Sequence, residues 1–328
     1  MTPAEAMARA VLLSGHGLGM TCPNPVVGAV IIGPKGEFIS EGFHGGELDH
    51  AEVVAVKKAT TIPAGSTMYV TLEPCNHTGK TGPCTQAIIS AGISHIVYAV
   101  SDPNPIAKGG AEKLRSAGVL VQSGAMESEA VFINRDWLTK IALGRPRFAW
   151  KIGITLDGKI AAKDGSSQWI TSEESREEVA RLRGQSDAIL IGTGTAIADN
   201  PHLTTQSGKP TRIVMGDRTI PADAYLRDAS APMQLIPGHD FGLLLDFVKK
   251  EGFNRILIES GPTLGTAALQ AGLIDELIIF QAPTILGTGQ SFVGDLGISK
   301  ITERMDFDMV STTRFGVDNQ MILTRKAS

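Results

Sequence analysis

The chain has 328 residues, 42% hydrophobic and 20% charged, and its 30 basic and 34 acidic residues leave a formal charge of −4. A length about twice that of a typical domain, with enough apolar residues for packed cores, excludes a disordered or fibrous chain and points to two globular domains. Balanced charge without long single-sign runs argues against a polyanion-coating protein, and three cysteines are too few for a disulfide framework, which predicts a reducing, cytoplasmic setting.

Over 3–14, Ala6, Ala10 and Leu13 with Met7 and Val11 recur at the helical period, and Glu5 and Arg9 within that stretch distinguish it from a signal peptide. No apolar run approaches a membrane span. Two strands are predicted over 26–32 and 37–42, joined by the turn Gly33-Pro34-Lys35-Gly36. A helix over 50–59, a strand over 67–71, a helix over 85–91, a strand over 95–100, a helix over 110–117 and a strand over 119–122 follow. This alternation indicates a layered α/β domain. A helix containing Trp137 and Leu138 ends near Gly144-Arg145-Pro146-Arg147, which sets the boundary between domains 1–145 and 146–328. The second half reads as a strand over 148–154, a helix over 173–183, a strand over 188–192 and a small-residue turn at Thr193-Gly194-Thr195. Strands over 212–215 and 255–259, a helix over 263–271 and a strand over 276–280 complete it, again α/β. No internal repeat or low-complexity segment is present.

Chemistry concentrates first in His50-Ala51-Glu52, Glu73-Pro74-Cys75 and Cys84. Zinc favours four-coordination by imidazole and thiolate, and a catalytic site keeps one position for water. His50, Cys75 and Cys84 supply three ligands and leave the fourth position free. Glu52 suits a proton shuttle rather than a fourth ligand. Positions i and i+2 do not share a helix face, so the pair fits best at a helix N-terminus, with Glu52 reaching beneath the metal. Histidine-x-glutamate alone is common, but two of only three cysteines follow it in the order and at the distance of the zinc-deaminase signature. Cys22 falls outside this pattern and reads as a structural thiol; His16 and His95 read as ordinary surface or core histidines.

The first half resembles the cytidine-deaminase-like superfamily, an α/β/α layer sandwich. Within it, the segment from Thr71 through Cys84, with His77 and Lys80 in the eight residues between the cysteines, is similar to the deaminase of riboflavin biosynthesis. The segments Thr21-Cys22-Pro23-Asn24-Pro25-Val26-Val27-Gly28 and Ser101-Asp102-Pro103-Asn104-Pro105 are similar to the same family. The resemblance implies that Asn24, His44, His77, Lys80 and Asn104 line the substrate pocket. Asn24 and Asn104, each before a proline, are equally ordinary turn residues.

The second half lacks G-x-G-x-x-G but has two strand–turn–helix junctions with glycine at the turn, at 189–195 and 256–265. The stretches at 151–159, 167–172, 198–204 and 259–263 resemble the reductase of the same pathway, a member of the dihydrofolate-reductase-like fold. That resemblance implies NADPH contacts at Gly153, Trp169, Thr195, Asp199, Gly261, Pro262, Thr263, Leu264, Gly265, Thr266 and Ala267. It implies substrate contacts at Lys151, Ser167, Arg183, Leu203, Gln206 and Glu259, with Lys151, Asp199 and Glu259 open as candidates for steering protons during ribose ring opening. Gln206 departs from the family, which usually places a second arginine there for the substrate phosphate; glutamine donates a hydrogen bond without a charge.

Taken together, the resemblance covers nearly the whole chain and implies a bifunctional enzyme with two cofactors, Zn2+ and NADPH. Its first half would remove the 2-amino group from 2,5-diamino-6-(5-phosphoribosylamino)pyrimidin-4-one, and its second would reduce the ribosyl group to ribityl. The partner is then a small phosphorylated pyrimidine, with neither nucleic acid nor membrane, and the family suggests a homo-oligomer formed through the reductase domain. The alternative is a nucleobase or tRNA deaminase with a non-catalytic second domain, against which the negative charge, 5% aromatic content and long cysteine insert weigh.

Overall fold

The computed structural model describes the chain apart from residues 47–48, 79–81, 108, 204, 206 and 327–328. It divides into two compact units, Met1–Gly144 and Arg145–Ser328.

The first unit opens with α1 (Pro3–Ser14). Thr2 Oγ1 accepts from the Glu5 N–H, and the Glu5 carboxylate accepts from the Thr2 N–H. This reciprocal box, with proline in the first turn, satisfies amides that a helix start otherwise leaves unpaired. There follow β1 (Gly28–Ile32), β2 (Phe38–Phe43), α2 (Ala51–Lys58), β3 (Thr67–Leu72), α3 (Cys84–Ser90), β4 (His95–Val100), α4 (Gly110–Ser116), β5 (Leu120–Ser123), α5 (Glu127–Ile133) and α6 (Arg135–Leu143). The sheet order is β2-β1-β3-β4-β5, with β1 antiparallel to both neighbours and β3, β4 and β5 parallel. Strands β1, β3 and β4 are nearly continuous apolar runs because helices cover both faces of the sheet. Met7, Ala10 and Leu13 of α1 join Ile31, Met68 and Ile96 in one core.

The second unit contains β6 (Arg147–Ile154), β7 (Lys159–Ala161), α7 (Glu173–Gly184), β8 (Ala188–Gly192), α8 (Thr193–Asp199), β9 (Thr211–Met215), β10 (Met233–Ile236), α9 (Phe241–Glu251), β11 (Arg255–Ile258), α10 (Pro262–Gln270), β12 (Glu276–Gln281), β13 (Gln290–Ser291), β14 (Phe307–Phe315) and β15 (Asp318–Arg325). Among the described residues the main sheet runs β10-β9-β8-β11-β6-β12-β15-β14. It is parallel from β10 to β12 and closes with the antiparallel β15 and β14. Strands β7 and β13 form a separate ribbon. No helix among the described residues is long and apolar enough to cross a membrane.

The structure corrects several expectations. The turn at 193–195 is the first turn of α8: Thr193, Gly194 and Thr195 are poor helix formers, but Ala196 behind them is buried and anchors the helix. The strand expected from 26 begins at Gly28, because Asn134 pairs with both the N–H and the C=O of Val26. Helices α5 and α9, strands β7, β10 and β13, and the β14–β15 hairpin were not anticipated.

One buried ion cluster ties three adjacent strands of the second unit. Glu276, fully buried at the start of β12, accepts from Arg147 Nη2 at 3.0 Å and Arg255 Nη2 at 3.2 Å, both arginines being buried at the starts of β6 and β11. Removing the carboxylate leaves two cations out of water. Glu276→Ala is expected to destabilise this unit by about 3–5 kcal/mol, read as a fall of roughly 6–20 °C in Tm; a loss below about 1 kcal/mol would contradict the charge-balance account.

Candidate active sites

In the first unit, three chain segments deliver the metal-binding set. His50 is the N-cap of α2, Cys84 is the first residue of α3, and Cys75 follows β3 after Glu73 and Pro74. The His50 Nδ1 lies 3.2 Å from Cys84 Sγ and 3.6 Å from Cys75 Sγ, and all three donor atoms fall within 4.8 Å of one another. A tetrahedral zinc with bonds of about 2.0 Å to nitrogen and 2.3 Å to sulfur has N···S edges of about 3.5 Å, so the donors fit that ion. Glu52, one turn position into α2 and 4% exposed, faces the same centre. Burial pushes its carboxyl up to about 6.

The strap holding Cys75 uses a residue whose role the sequence did not disclose. Glu73 Oε1 accepts from the Ala111 N–H at 2.9 Å and Oε2 from the Asp102 N–H at 3.3 Å, fastening the end of β3 to the loop that enters α4. The fit is so close that a Cβ at Gly110 would stand 1.7 Å from the Pro74 carbonyl oxygen, so only glycine is accommodated.

Of the expected substrate residues, Asn24 and His44 form a chain leading to the metal centre. The Asn24 Nδ2 lies 3.5 Å from His44 Nε2, His44 Nδ1 donates to the Asp49 carbonyl at 3.0 Å, and the His44 and His50 rings meet edge to face at 5.5 Å. Burial lowers the His44 pKa, favouring the neutral ring that this donor–acceptor pattern requires. The loop carrying Asn24 is pinned by two residues that sequence reasoning missed: Asn134 on Val26, and Lys140, whose Nζ donates to the Pro23 carbonyl at 2.8 Å. His77 is half-buried two residues beyond Cys75, and its buried Nδ1 has no hydrogen-bond partner among the described residues. Asn104 Oδ1 accepts from the Ile106 N–H, a local turn bond. Lys80 lies outside the described residues.

In the second unit, a cavity of about 910 Å3 lies along the carboxyl ends of the parallel strands. Lys151, Gly153, Ser167, Trp169, Arg183, Thr195, Asp199, Leu203, Glu259, Gly261, Pro262, Thr263 and Leu264 all line it. Gly265, Thr266 and Ala267 do not: Gly265 is packed against the Trp150 ring, and Thr266 Oγ1 accepts from the Gly294 N–H. Gln206 lies outside the described residues. Exposed Trp169 is covered on one face by the Arg176 guanidinium, 4.7 Å from the ring centroid, a contact absent from the sequence reading. Gly261 caps α10 with no side-chain hydrogen bond, and a Cβ there would meet nothing within 4 Å. That open, uncapped helix start has the character of a dinucleotide pyrophosphate cradle.

At one end of the cavity, buried Glu259 is gripped by two cations. Arg183 Nε and Nη2 reach its two oxygens at 2.5 and 3.0 Å, and Lys151 Nζ reaches Oε2 at 2.8 Å. Burial would push the carboxyl up, but the charges of Arg183 and Lys151 outweigh it and hold it at about 2. Asp199, exposed at the cavity rim, is raised by partial desolvation there, against the opposing charge of Lys151. A carboxyl lowered from 4.5 to about 2 stabilises the fold fully above pH 4.5, and that contribution is lost as pH falls toward 2. Across that window Glu259→Gln is expected to show a stability–pH slope smaller by about 3 kcal/mol in total, measured by chemical denaturation; superimposable slopes would contradict the assignment.

Comparison with known proteins adds an independent line. Residues 146–321 match the model of the RibD C-terminal domain, and residues 1–100 match the cytidine and deoxycytidylate deaminase zinc-binding region. The riboflavin biosynthesis protein RibD of Mycobacterium tuberculosis is 42% identical, the match covering 96% of this chain and 95% of that protein. RibD of Escherichia coli is 38% identical over 95% of this chain and 96% of its own length. Among solved structures, Acinetobacter baumannii RibD aligns with a TM-score of 0.88 at 31% identity, covering 99% of both chains. The Thermotoga maritima diaminohydroxyphosphoribosylaminopyrimidine deaminase/5-amino-6-(5-phosphoribosylamino)uracil reductase aligns with a TM-score of 0.91 at 31% identity, covering 98% of both. These matches run through both units, which removes the reading of a deaminase with an inert second domain. The chain belongs to the RibD family, bifunctional enzymes of riboflavin biosynthesis that join a zinc-dependent deaminase and an NADPH-dependent reductase in one polypeptide.

Proposed function

We propose that the first unit deaminates 2,5-diamino-6-(5-phosphoribosylamino)pyrimidin-4-one and that the second reduces its product to 5-amino-6-(5-phosphoribitylamino)uracil. The observation that carries this reading is the convergence of His50, Cys75 and Cys84 with buried Glu52 in one unit and a cavity bordered by the Lys151–Glu259–Arg183 cluster in the other.

Zinc, when bound by His50, Cys75 and Cys84, supplies the Lewis acidity that lets water ionise near neutral pH. Glu52 passes one proton of the attacking water to the ring nitrogen and then relays the second, from the hydroxyl that becomes the carbonyl, to the amine as it departs. Neutral His44 holds Asn24 by hydrogen bonding and leaves the Asn24 amide oriented toward the pyrimidine. His77 and Asn104 complete that pocket, and the family resemblance assigns Lys80, outside the described residues, to the same substrate.

NADPH, when bound against Gly153, Trp169, Thr195, Asp199 and the Gly261–Leu264 turn, supplies the hydride delivered to C1′. The remaining chemistry belongs to the protein. Opening the ribosyl ring places a proton on its ring oxygen while the exocyclic nitrogen lone pair forms the C1′=N bond. Glu259 is ionised at neutral pH, so Lys151 and Asp199 are the proton carriers facing that end of the cavity. The Lys151–Glu259–Arg183 cluster carries a net charge of about +1, which favours a phosphorylated substrate even with Gln206 in place of an arginine. Ser167 and Leu203 complete the contact surface.

Reduced thiols at the metal site support a cytoplasmic location. Exposed Met309 and Val310 on the sheet-edge strand β14 support a homo-oligomer formed through the reductase unit. Glu52→Gln separates the two activities. Zinc content and NADPH-dependent reduction of the deaminated substrate should persist, while deamination falls by about 10^2- to 10^4-fold. Deamination within tenfold of the unsubstituted enzyme would remove Glu52 from the reaction.

A further inference from the structure

We infer that Asn134 is a positioning residue of the deaminase: its side chain holds both backbone groups of Val26 and so fixes the direction in which Asn24 meets the pyrimidine. The inference rests on the deaminase reading above.

Asn24 is exposed on a connection that belongs to neither a helix nor a strand. A side chain in such a place keeps one direction only if the backbone around it is anchored. The Asn24 N–H donates to the Thr21 carbonyl at 2.7 Å and Thr21 Oγ1 donates to the Asn24 carbonyl at 3.2 Å, two bonds that shape the turn without attaching it to the rest of the unit. The attachment comes at the exit. Val26 is buried before β1 begins, so its N–H and C=O are out of water and outside the sheet ladder. Asn134 Oδ1 accepts from that N–H at 3.0 Å, and Asn134 Nδ2 donates to that C=O at 2.8 Å. The next two residues are tied elsewhere: the Val27 carbonyl accepts from the His44 N–H at 2.9 Å, and the Gly28 N–H donates to Thr71 Oγ1 at 3.2 Å. At the entrance, Lys140 Nζ donates to the Pro23 carbonyl at 2.8 Å. Asn24 thus stands between two ties to the same pair of helices, α5 and α6.

Asn134 is 3% exposed at the junction of α5 and α6, and its backbone is already committed there. Its N–H donates to the Ala130 carbonyl at 3.1 Å, and its carbonyl accepts from the Leu138 N–H at 2.9 Å. The side chain is what remains for Val26. A carboxamide carries a donor and an acceptor side by side, as a neighbouring strand does. Aspartate has the same size and keeps the acceptor, but it sets a second oxygen against the Val26 carbonyl and leaves that carbonyl buried without a donor. Buried Trp137, three positions on, packs α6 into the core of the unit, so the amide is carried on a rigid support. The consequence reaches the metal centre through His44. Its backbone is bonded to Val27, its Nε2 lies 3.5 Å from Asn24 Nδ2, and its ring meets that of His50. Slack at Val26 therefore misaligns Asn24 with His44 while leaving the metal donors in place.

The test is steady-state deamination of the diaminopyrimidine phosphoribosyl substrate by the full-length, zinc-loaded protein and its Asn134→Asp, Asn24→Ala and doubly substituted variants. Zinc content and NADPH-dependent reduction of the deaminated substrate, read on the same samples, verify that each variant is folded. Asn134→Asp is expected to raise KM about 5- to 20-fold with kcat changed less than about threefold, because a loosened Asn24 holds substrate and transition state equally poorly. A loss of folded protein alone would do the reverse, lowering kcat at constant KM. Since Asn134 acts through Asn24, the double variant should be within about threefold of Asn24→Ala, not the product of the two effects. Lys140→Met releases the solvent-facing tie at Pro23 and tests the same clamp if Asn134→Asp does not fold: KM should rise about two- to fivefold, and not at all in the Asn24→Ala background. An unchanged KM in these variants, or effects that multiply in the double, would overturn the inference. So would an Asn24→Ala variant with unaltered kinetics, which removes the residue through which Asn134 acts. An unsubstituted protein that leaves this substrate intact would overturn the deaminase reading itself.

Discussion

A charge taken out of water must be met by opposite charge or by a metal within bonding distance, and both catalytic halves are organised around that requirement. The parallel strands of the second unit carry two buried carboxylates at their opposite ends. At the amino ends, Glu276 is closed in by Arg147 and Arg255, all three buried. At the carboxyl ends, Glu259 is closed in by Lys151 and Arg183, and there the cluster opens onto a cavity. The same solution to desolvation is closed over by packed side chains in one place and left open to a cavity in the other. In the first unit the equivalent problem is two thiols and an imidazole held against one another, which a divalent metal resolves by binding both sulfurs as thiolates.

Both sites lie where parallel strands end and helices begin, because that junction presents side chains and free amides without interrupting the sheet. His50 caps α2 and Cys84 starts α3, so two of the three metal donors come from helix starts that are rigid by virtue of their packing. Their geometry depends on ties from distant chain segments. Asn134 pairs with Val26 across 108 positions, and Glu73 joins the end of β3 to the backbone at Asp102 and Ala111. These contacts fix the Asn24 loop and the segment that delivers Cys75.

What was legible in the sequence follows from the range of the interactions involved. The capped α1, the buried strands β3, β4 and β8, and the placement of His50 and Glu52 at a helix start are set by local periodicity and by the geometry of adjacent residues. The metal-binding set was legible because so few residue types can do that chemistry. The β14–β15 hairpin was not, since β14 is largely exposed and lacks a sustained apolar alternation. Helix α5 is short and leaves Val131 and Phe132 exposed, which blurs its periodicity. The pairing of Arg183 with Glu259 spans 76 positions and exists only once α7 and β11 are packed, so no local pattern could show that both cations serve one carboxylate.

The most direct test of two reactions at two sites in one chain is the mass of the diaminopyrimidine phosphoribosyl substrate after incubation with the zinc-loaded enzyme, with and without NADPH. The account predicts a gain of about 1 Da without the dinucleotide and about 3 Da with it. A substrate left unchanged under both conditions, or a product stopped at the first mass when NADPH is present, would contradict it.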